Sequence, residues 1–349
     1  MAGVLAVVVP PAAAKDLSTN FNGMTITSTG ENLTINSFGK PVPARLQFTK
    51  LGLIDQFNAN WGDRWRWGSV TKQLIAVLVL QEVERGQLRL DAPVAEFLPE
   101  FASPNAKIVT IRQLLRHQSG LPNPDDTPVL GRVPGYYSPH YSGNRSPLNG
   151  YCANAGTRPP GGPVSYNNCD YIVLGAVLER VTGKAWADLV SERIAQPLGL
   201  RSIRAFRSKP DPVDGFVDDA LEPEVDLRAY DAAAGLIGGP GDLWKFDRAL
   251  MQGKLLRPES MRELWDGRPE LGFAALGQWV FTAPLNGCPK PVQIVERRGQ
   301  IEGTQVRNFI LPELDKIAIA FTNRAEFDFG EVWQGKGYSY DMLSELACR

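Results

Sequence analysis

The chain is built around Trp65-Arg66-Trp67-Gly68-Ser69-Val70-Thr71-Lys72, which leads, after one glutamine, into seven consecutive apolar residues, 74–80. Such a run suits a strand or a buried helix, and the polar residues around it with a closing Gly86 favour the helix. A helix that is apolar on every side must lie inside the protein. Ser69 and Lys72, three residues apart, then share one face at its start. Burial lowers the pKa of Lys72, and a neutral lysine can take a proton from the Ser69 hydroxyl.

The Ser-x-x-Lys pattern is short and arises easily by chance. A second copy, Ser37-Phe38-Gly39-Lys40, follows an alternating apolar run and reads as the end of a strand. Only the copy at Ser69 has a helix to carry both side chains on one face. We therefore interpret Ser69 as an activated serine, and look to the rest of the chain for its partners.

Length and composition exclude several classes of protein. A chain of 349 residues has room for about two domains or one large composite domain. Its net charge of −1 argues against a nucleic-acid partner, and no run approaches the ~18–20 apolar residues of a membrane span. The start of the chain, uncharged up to Lys15, resembles a secretory signal remnant over residues 1–15, which predicts a periplasmic or secreted protein; a chance alanine-rich start explains it equally well.

The cysteines permit a disulfide framework. There are four, an even number, as expected of two disulfides in an exported protein. Cys152 with Cys169 would close a short loop, and Cys288 could reach Cys348 near the C-terminus. Four unpaired thiols are the alternative.

Histidine is too scarce for the commonest alternative chemistries. His117 and His140 are the only two, and neither has close neighbours at metal-ligand spacing. The same scarcity argues against a Ser-His-Asp triad, and no Gly-x-Ser-x-Gly sequence occurs. We expect no metal and no cofactor.

Strand patterns lie at the two ends of the chain, and helix patterns lie between them. The strand candidates are 24–27 and 33–35, which read as a hairpin, and 278–281, 293–295, 305–311 and 316–322. A capping-box pattern at Thr110 opens a helix predicted to reach His117. A further helix ends at Gly183, and another, from Trp186, is predicted to stop at Pro197.

These patterns predict an α/β fold whose antiparallel sheet comes from both termini, is flanked by helices and carries an inserted, mainly helical region. The predicted sheet domain comprises residues 16–66 and 230–349, and the helical domain residues 67–229. Within the latter, residues 120–165 contain nine prolines and eight glycines. A loop region of this length is usually functional; we interpret it as a lid or wall over a cleft, with a floppy surface insertion as the alternative.

A serine nucleophile paired with a lysine also needs a second proton carrier and donors for the oxyanion. Tyr166 and Asn168, at the start of a predicted helix, can point a phenol and an amide into one cleft. Nearby cations are expected to lower the pKa of Tyr166. The segment Tyr136-Tyr137-Ser138 is a rival, but no periodic helix follows it. On a later strand, Arg297 would present a positive charge beside the serine, and Gly299 would permit close backbone approach.

These three segments, in this order and at this spacing, resemble the motifs of the serine β-lactamase and penicillin-binding-protein superfamily. The sequence looks most like its class C β-lactamase branch, with the related D-Ala-D-Ala carboxypeptidases and esterases. Supporting similarity lies in Trp67-Gly68, in residues 114–122 and in residues 233–243. The resemblance covers residues 20–347 and implies a β-lactamase/transpeptidase-like fold.

The resemblance also implies roles for individual residues. Ser69 would be the acylated nucleophile, with Lys72 and Tyr166 sharing the proton transfers. Asn168 would hold the substrate amide or the lysine. The backbone N–H groups of Ser69 and Gln300 would form the oxyanion hole, and water would release the acyl group without a cofactor.

The third motif departs from the family pattern. Arg297 stands where Lys or His is usual, and Gln300 is larger than the common small residue. Arginine can pair bidentately with a substrate carboxylate but cannot share protons with Tyr166. We therefore predict a monomeric serine hydrolase acting on a small-molecule or peptide ester, amide or β-lactam. An esterase or D-peptidase with weak β-lactamase activity comes first, a class C-type β-lactamase second, and a penicillin-sensing or non-catalytic scaffold protein third.

Overall fold

Both ends of the chain contribute to one central sheet. A computed structural model describes residues 23–29, 32–38, 64–206, 213–218 and 220–348. The predicted signal remnant at 1–15 lies outside the described residues, as does Lys40 of the second Ser-x-x-Lys pattern. The strands are β1 (Gly23–Thr29), β2 (Asn32–Phe38), β3 (Trp65–Arg66), β4 (Val129–Leu130), β5 (Val133–Pro134), β6 (Arg204–Ala205), β7 (Phe216–Val217), β8 (Ala220–Leu221), β9 (Leu236–Gly238), β10 (Trp279–Ala283), β11 (Val292–Ile301), β12 (Thr304–Leu311) and β13 (Lys316–Thr322).

The six-stranded sheet has the order β10-β11-β12-β13-β1-β2, and all of its neighbours are antiparallel. Strand β1 lies against β13, with Gly23 opposite Thr322 and Thr29 opposite Lys316. The predicted α/β class, with a sheet built from both termini, is confirmed. The residue boundaries predicted for the two domains stay a prediction.

Helices occupy the middle of the chain and its C-terminus. They are α1 (Thr71–Glu84), α2 (Val94–Phe97), α3 (Ile111–Leu115), α4 (Asn168–Thr182), α5 (Trp186–Val190), α6 (Gln196–Leu198), α7 (Asp231–Ala234), α8 (Pro240–Met251), α9 (Pro258–Leu264) and α10 (Tyr338–Cys348). In α1 every residue from Thr71 to Glu82 is buried, as the unbroken apolar run predicts. Gly86 follows it with a left-handed φ of 72°. None of the helices in the described ranges has the length and apolarity needed to cross a membrane.

The sheet separates two packed layers. Ile310 and Ile317 belong to the large core that surrounds α1. Their chain neighbours Phe309 and Ala318 point to the opposite face and pack with Leu343 of α10. This alternation is the period of two expected of strands that are covered on both faces. Each large apolar side chain buried in these layers stabilises the fold by about 1.5–3 kcal/mol.

Two disulfides tie loops to helices. One joins Cys152 to Cys169, the second residue of α4, and the other joins Cys288 to Cys348, the last residue of α10. The predicted pairing is therefore confirmed. The first bond attaches the Pro/Gly-rich loop to the start of α4, which is where the predicted Tyr166 and Asn168 lie.

Two predicted helix ends are wrong. Thr110 does form the capping box, but α3 ends at Leu115 because His117 adopts a left-handed φ of 57°. After α5 the chain passes through a π-helical turn, Ser191–Ala195, and stays helical to Leu198. Proline lacks the N–H that an α-helical bond would need, and a wider turn just before Pro197 lets the chain continue past it.

Candidate active site

Ser69 is held where a short strand meets the buried helix. Strand β3 pairs with β9, and the Trp67 side-chain N–H donates to the Gly238 carbonyl at 3.0 Å. A 3₁₀ turn, Gly68–Val70, then runs directly into α1. Ser69 thus lies at the N-terminal end of a helix that the core holds rigid.

Two glycines let this turn press against β11. A Cβ added at Gly68 would lie 2.9 Å from the Gln300 nitrogen, and Gly68 also has a left-handed φ of 51°. A Cβ added at Gly299 would lie 2.1 Å from the Trp67 carbonyl oxygen and 3.1 Å from the Ser69 nitrogen. Real side chains do not tolerate such distances, so both positions require glycine. The approach that the sequence predicted at Gly299 brings the backbone of Ser69 next to that of Gln300.

Lys72 is fully buried and has four polar neighbours. Its Nζ lies 3.1 Å from Ser69 Oγ, 2.6 Å from Tyr166 Oη, 2.7 Å from Asn168 Oδ1 and 2.9 Å from the Ala233 carbonyl oxygen. Burial, and secondly the positive charge of Arg297, hold the pKa of Lys72 well below its usual value. The predicted direction of this pKa shift is confirmed.

Tyr166 completes the group around Ser69. Its hydroxyl shares a hydrogen bond with Ser69 Oγ and accepts one from Arg297 Nη2 at 3.0 Å. Burial nevertheless raises the pKa of Tyr166, although Arg297 and Ser69 act in the other direction. The predicted lowering of this pKa is wrong, because removing the phenol from water costs the phenolate more than the nearby cation returns.

Asn168 is oriented by hydrogen bonds on the side facing away from Lys72. Its Nδ2 donates to the Asp125 carboxylate at 3.1 Å and to Tyr137 Oη at 2.8 Å. The Tyr137 hydroxyl in turn donates to Asp125 at 2.8 Å. A carboxylate only accepts, so the amide must face it with its nitrogen and turn its oxygen towards Lys72. Tyr137, which belongs to the segment that rivalled Tyr166 in the sequence, thus supports Asn168.

Arg297 lies beside the rings of Tyr166 and Trp279. It is 1% exposed, and its Nε donates to the Ser69 carbonyl oxygen at 2.7 Å. The guanidinium carbon is 5.3 Å from the Tyr166 ring centroid and 5.1 Å from that of Trp279. The predicted placement of a cation beside the serine is therefore found. Pairing of Arg297 with a substrate carboxylate stays a prediction, since Arg297 is not among the residues that line the cleft.

The buried side chains of His117 and Asp170 lie next to each other beside Tyr166, and we call this pair the platform. The His117 ring centroid lies 4.6 Å from that of Tyr166. Its Nδ1 accepts the Asn167 backbone N–H at 3.3 Å and lies 3.0 Å from Asp170 Oδ2. An Nδ1 that already accepts a hydrogen bond can meet a carboxyl oxygen only if that oxygen carries a proton. Burial raises the pKa of Asp170 well above its usual value, which agrees with a neutral acid.

The cleft in front of Ser69 has a volume of about 200 Å³. It is lined by Ser69, Asp125, Pro134, Tyr137, Tyr166, Asn168, Tyr230, Ala234, Gln300, Ile301 and Glu302. The Pro/Gly-rich loop supplies Asp125, Pro134 and Tyr137, so it forms the predicted wall.

The sequence interpretation missed Asp125, Tyr230, Glu302 and the Ala233 carbonyl, because no periodic pattern marks them. Within the described ranges no group of three or more His, Cys, Asp or Glu side chains could hold a metal ion.

Curated relatives carry names from several hydrolase groups. Penicillin-binding protein 4 of Amycolatopsis lactamdurans is 39% identical over 38% of this chain and 34% of its own length. Esterase EstB of Burkholderia gladioli is 35% identical over 42% of this chain and 40% of its own. A D-aminopeptidase of Cereibacter sphaeroides strain KD131 is 34% identical over 43% of this chain and 28% of its own. The chain thus spans about a third to a half of the first relatives that it matches.

Solved structures share the fold over nearly the whole chain. The D-amino acid amidase from Ochrobactrum anthropi SV3, complexed with L-phenylalanine, has a TM-score of 0.71 at 20% identity and covers 96% of this chain and 94% of its own. A D-stereospecific amidohydrolase from Streptomyces sp. has a TM-score of 0.70 at 21% identity, with 89% and 92% covered. The family model described as Beta-lactamase matches residues 45–334. With its motifs in the expected order and this match over most of its length, the chain belongs to the beta-lactamase family.

Proposed function

We propose that the chain is a serine hydrolase that forms an acyl-enzyme at Ser69 and cleaves esters and amides. The observation that carries the proposal is the set of contacts around Lys72. A neutral amine has two N–H donors and one lone pair. Asn168 Oδ1 and the Ala233 carbonyl can only accept, so they take both N–H groups. The lone pair is then left for the Ser69 and Tyr166 hydroxyls.

The proton leaves Ser69 by way of Tyr166. The Ser69 and Tyr166 oxygens are in direct hydrogen-bond contact, and Tyr166 Oη lies 2.6 Å from the lysine nitrogen. As Ser69 attacks the carbonyl carbon, Tyr166 accepts its proton and passes its own to Lys72. The raised pKa of Tyr166 favours the phenol in the resting enzyme, and the lowered pKa of Lys72 favours the neutral amine. The reverse transfers, from Lys72 to Tyr166 and from Tyr166 onwards, deliver a proton to the leaving group.

Arg297 supplies fixed positive charge to this path. Its hydrogen bond to Tyr166 Oη strengthens whenever that oxygen gains negative character. Burial is the main cause of the lowered pKa of Lys72, and the positive charge of Arg297 adds to it because like charges repel across the buried site. The backbone N–H groups of Ser69 and Gln300, brought together by the two glycines, are proposed to hold the oxyanion.

The lining of the cleft favours an esterase or amidase over the two alternatives. No lysine or arginine is among the cleft-lining residues in the described part of the chain, while Asp125 and Glu302 are. Penicillins and the D-Ala-D-Ala C-terminus both carry a carboxylate, which such a lining repels. The relatives named as an esterase and as D-aminopeptidases support this choice, and an intact Ser69–Lys72–Tyr166 contact set argues against a non-catalytic scaffold.

Export and assembly belong to the same proposal. Two disulfides support a periplasmic or secreted protein, since such bonds persist in oxidising compartments. A monomer acting on a small molecule or short peptide is proposed, whereas a penicillin-binding protein homologue from Pyrococcus abyssi that shares the fold is octameric. Size-exclusion chromatography with light scattering decides between the two.

The test compares three substrate classes on one enzyme. Wild type and Ser69→Ala are mixed with p-nitrophenyl acetate, a chromogenic cephalosporin and a fluorescent penicillin. We expect Ser69-dependent turnover of the ester and slow or no loss of the cephalosporin. Rapid cephalosporin hydrolysis would identify a β-lactamase, a lasting penicillin adduct without turnover would identify a sensor, and ester turnover surviving in Ser69→Ala would contradict the mechanism.

A further inference from the structure

The cleft beside Ser69 contains a second group of polar side chains that the hydrolysis mechanism does not use. Asp125 comes from the Pro/Gly-rich loop, Tyr230 from the 3₁₀ turn before α7, and Glu302 from the turn between β11 and β12. Three separate parts of the chain therefore converge on one small cavity with the serine.

Neither carboxylate of this group makes a direct ion pair within the described part of the chain, although Arg66 and Arg132 act on Glu302 from a greater distance. Asp125 is bonded by the Tyr137 hydroxyl and the Asn168 amide, both neutral. No ion pair to Asp125 or to Glu302 occurs between residues that the structure describes. Burial, and next the nearby Glu222, raise the pKa of Glu302 to about 6. Glu302 is thus mostly ionised at neutral pH and faces the same cavity as Asp125.

Tyr230 brings a hydroxyl to the same cavity. The side chain is only 6% exposed, and its ring stacks on Tyr137 with centroids 3.9 Å apart and planes within 3°. It lines the cavity, yet in the described ranges its hydroxyl makes no hydrogen bond. The hydroxyl is accessible from the cavity, where a group of the substrate can bind it. Its location points to a donor on the substrate.

We propose that Asp125, Tyr230 and Glu302 form a subsite for a primary ammonium group on the substrate. An ammonium group has three N–H donors and no acceptor, which matches three possible acceptors that line one small cavity. This inference rests on the proposed function and narrows it: the preferred substrates are small esters or amides that carry a free amino group near the scissile carbonyl.

A binding measurement tests the subsite without depending on catalysis. Ser69→Ala, which cannot turn over the amide, is titrated calorimetrically with each enantiomer of phenylalaninamide. It is also titrated with hydrocinnamamide, the same molecule without its amino group. The titration is run at pH 7, where carboxylates are ordinarily ionised and the amine is still largely protonated. We expect the better phenylalaninamide enantiomer to bind at least ~10-fold more tightly than hydrocinnamamide, as charge-assisted hydrogen bonds require.

Variants made in the Ser69→Ala background identify the residues. Glu302→Gln and Tyr230→Phe should each lower the ratio of the two affinities at least ~3-fold, through loss of one acceptor. Glu313→Gln, an exposed carboxylate in the turn between β12 and β13, should leave the ratio unchanged. Thermal melts confirm that each variant is folded, and two subsite variants guard against one that is not.

The outcomes separate this inference from the proposed function. Equal affinity for the two amides, or a preference that survives both subsite variants, overturns the ammonium subsite. Absence of Ser69-dependent hydrolysis of p-nitrophenyl acetate by the wild type overturns the proposed function instead. A preference for phenylalaninamide over hydrocinnamamide that the subsite variants remove supports the inference, whichever enantiomer binds more tightly.

Discussion

Lys72 is a titratable side chain whose surroundings disfavour its charged form. A lysine buried in the core is normally costly, and here burial combines with the positive charge of Arg297 to disfavour the ammonium form. Because a general base must be unprotonated, activity should rise with pH as Lys72 loses its proton. The acid limb of the kcat/KM profile then reports on Lys72 in the free enzyme.

Replacing Arg297 should move that limb. Without the neighbouring charge, the pKa of Lys72 rises, so the acid limb of kcat/KM for Arg297→Gln should shift to higher pH. We also expect a loss of ~10–100-fold in kcat/KM at neutral pH, because Tyr166 Oη loses a charged donor. Arg297→Lys, which keeps the charge, is the matched control and should shift the limb less. An acid limb that stays in place in Arg297→Gln would rule out this coupling.

Asp170 offers a test of a protonation state. If the carboxyl is neutral and donates to His117, then Asp170→Asn, whose amide also donates and accepts, should keep the melting temperature nearly unchanged. Asp170→Ala removes one hydrogen-bond partner from each of His117 and Ser119, and should cost about 1–3 kcal/mol in the free energy of unfolding. Denaturant unfolding measures both variants.

The protonation of Asp170 also predicts whether the free energy of unfolding rises or falls with pH. The native pKa of Asp170 is raised, so above the unfolded value of about 3.9 the native state binds the extra proton. The free energy of unfolding therefore falls as pH rises towards the native pKa. Asp170→Asn lacks this titration and should lose less stability over that range. If Asp170→Asn is as unstable as Asp170→Ala, the aspartate is ionised and this account of the platform is wrong.

At the scale of elements, the two disulfides should have different consequences. Closing loops of 17 and 60 residues contributes roughly 3 and 4 kcal/mol to stability in the chain-entropy model. Cys169 directly follows Asn168, and its bond anchors the loop that supplies Asp125 and Tyr137 to the cleft. Cys152→Ser/Cys169→Ser should therefore lower kcat/KM as well as stability.

Cys288→Ser/Cys348→Ser is the matched control. Its bond links α10 to the segment between β10 and β11, away from the cleft, so it should lower stability and leave kcat/KM near the wild-type value at temperatures where the chain is folded. Calorimetry and steady-state kinetics on both double variants decide the matter. Equal loss of activity from both would show that the first disulfide acts on stability alone.

What the sequence could predict depends on whether a residue lies in a regular element. Ser69, Lys72, Tyr166 and Asn168 flank or begin helices whose apolar periodicity is visible in the chain. Asp125, Tyr230 and Glu302 lie in a loop, a 3₁₀ turn and a hairpin turn, and only tertiary packing brings them together. The direction of the Tyr166 pKa shift was wrong for a related reason: a nearby cation can be inferred from a motif, whereas the removal of the phenol from water cannot.

For the whole molecule, the pairing of the two chain ends is the main long-range feature. Strand β1 covers the edge of β13, and β2 covers β1. A chain that lacks residues 1–38 should expose the edge of β13 and aggregate, because an uncovered strand is a template for further pairing. Light scattering of the truncated and full chains measures this. A truncated chain that stays monomeric with an unchanged melting temperature would show that the hairpin is dispensable.

The acyl-enzyme at Ser69 is the claim on which the other proposals depend. Rapid acid quenching of the protein during turnover of p-nitrophenyl acetate, followed by mass spectrometry, detects it directly. The proposed mechanism predicts one acetyl group per chain, located on the peptide that contains Ser69 and absent from Ser69→Ala. Acetylation of a different residue during turnover, or full turnover by Ser69→Ala without any adduct, would contradict it.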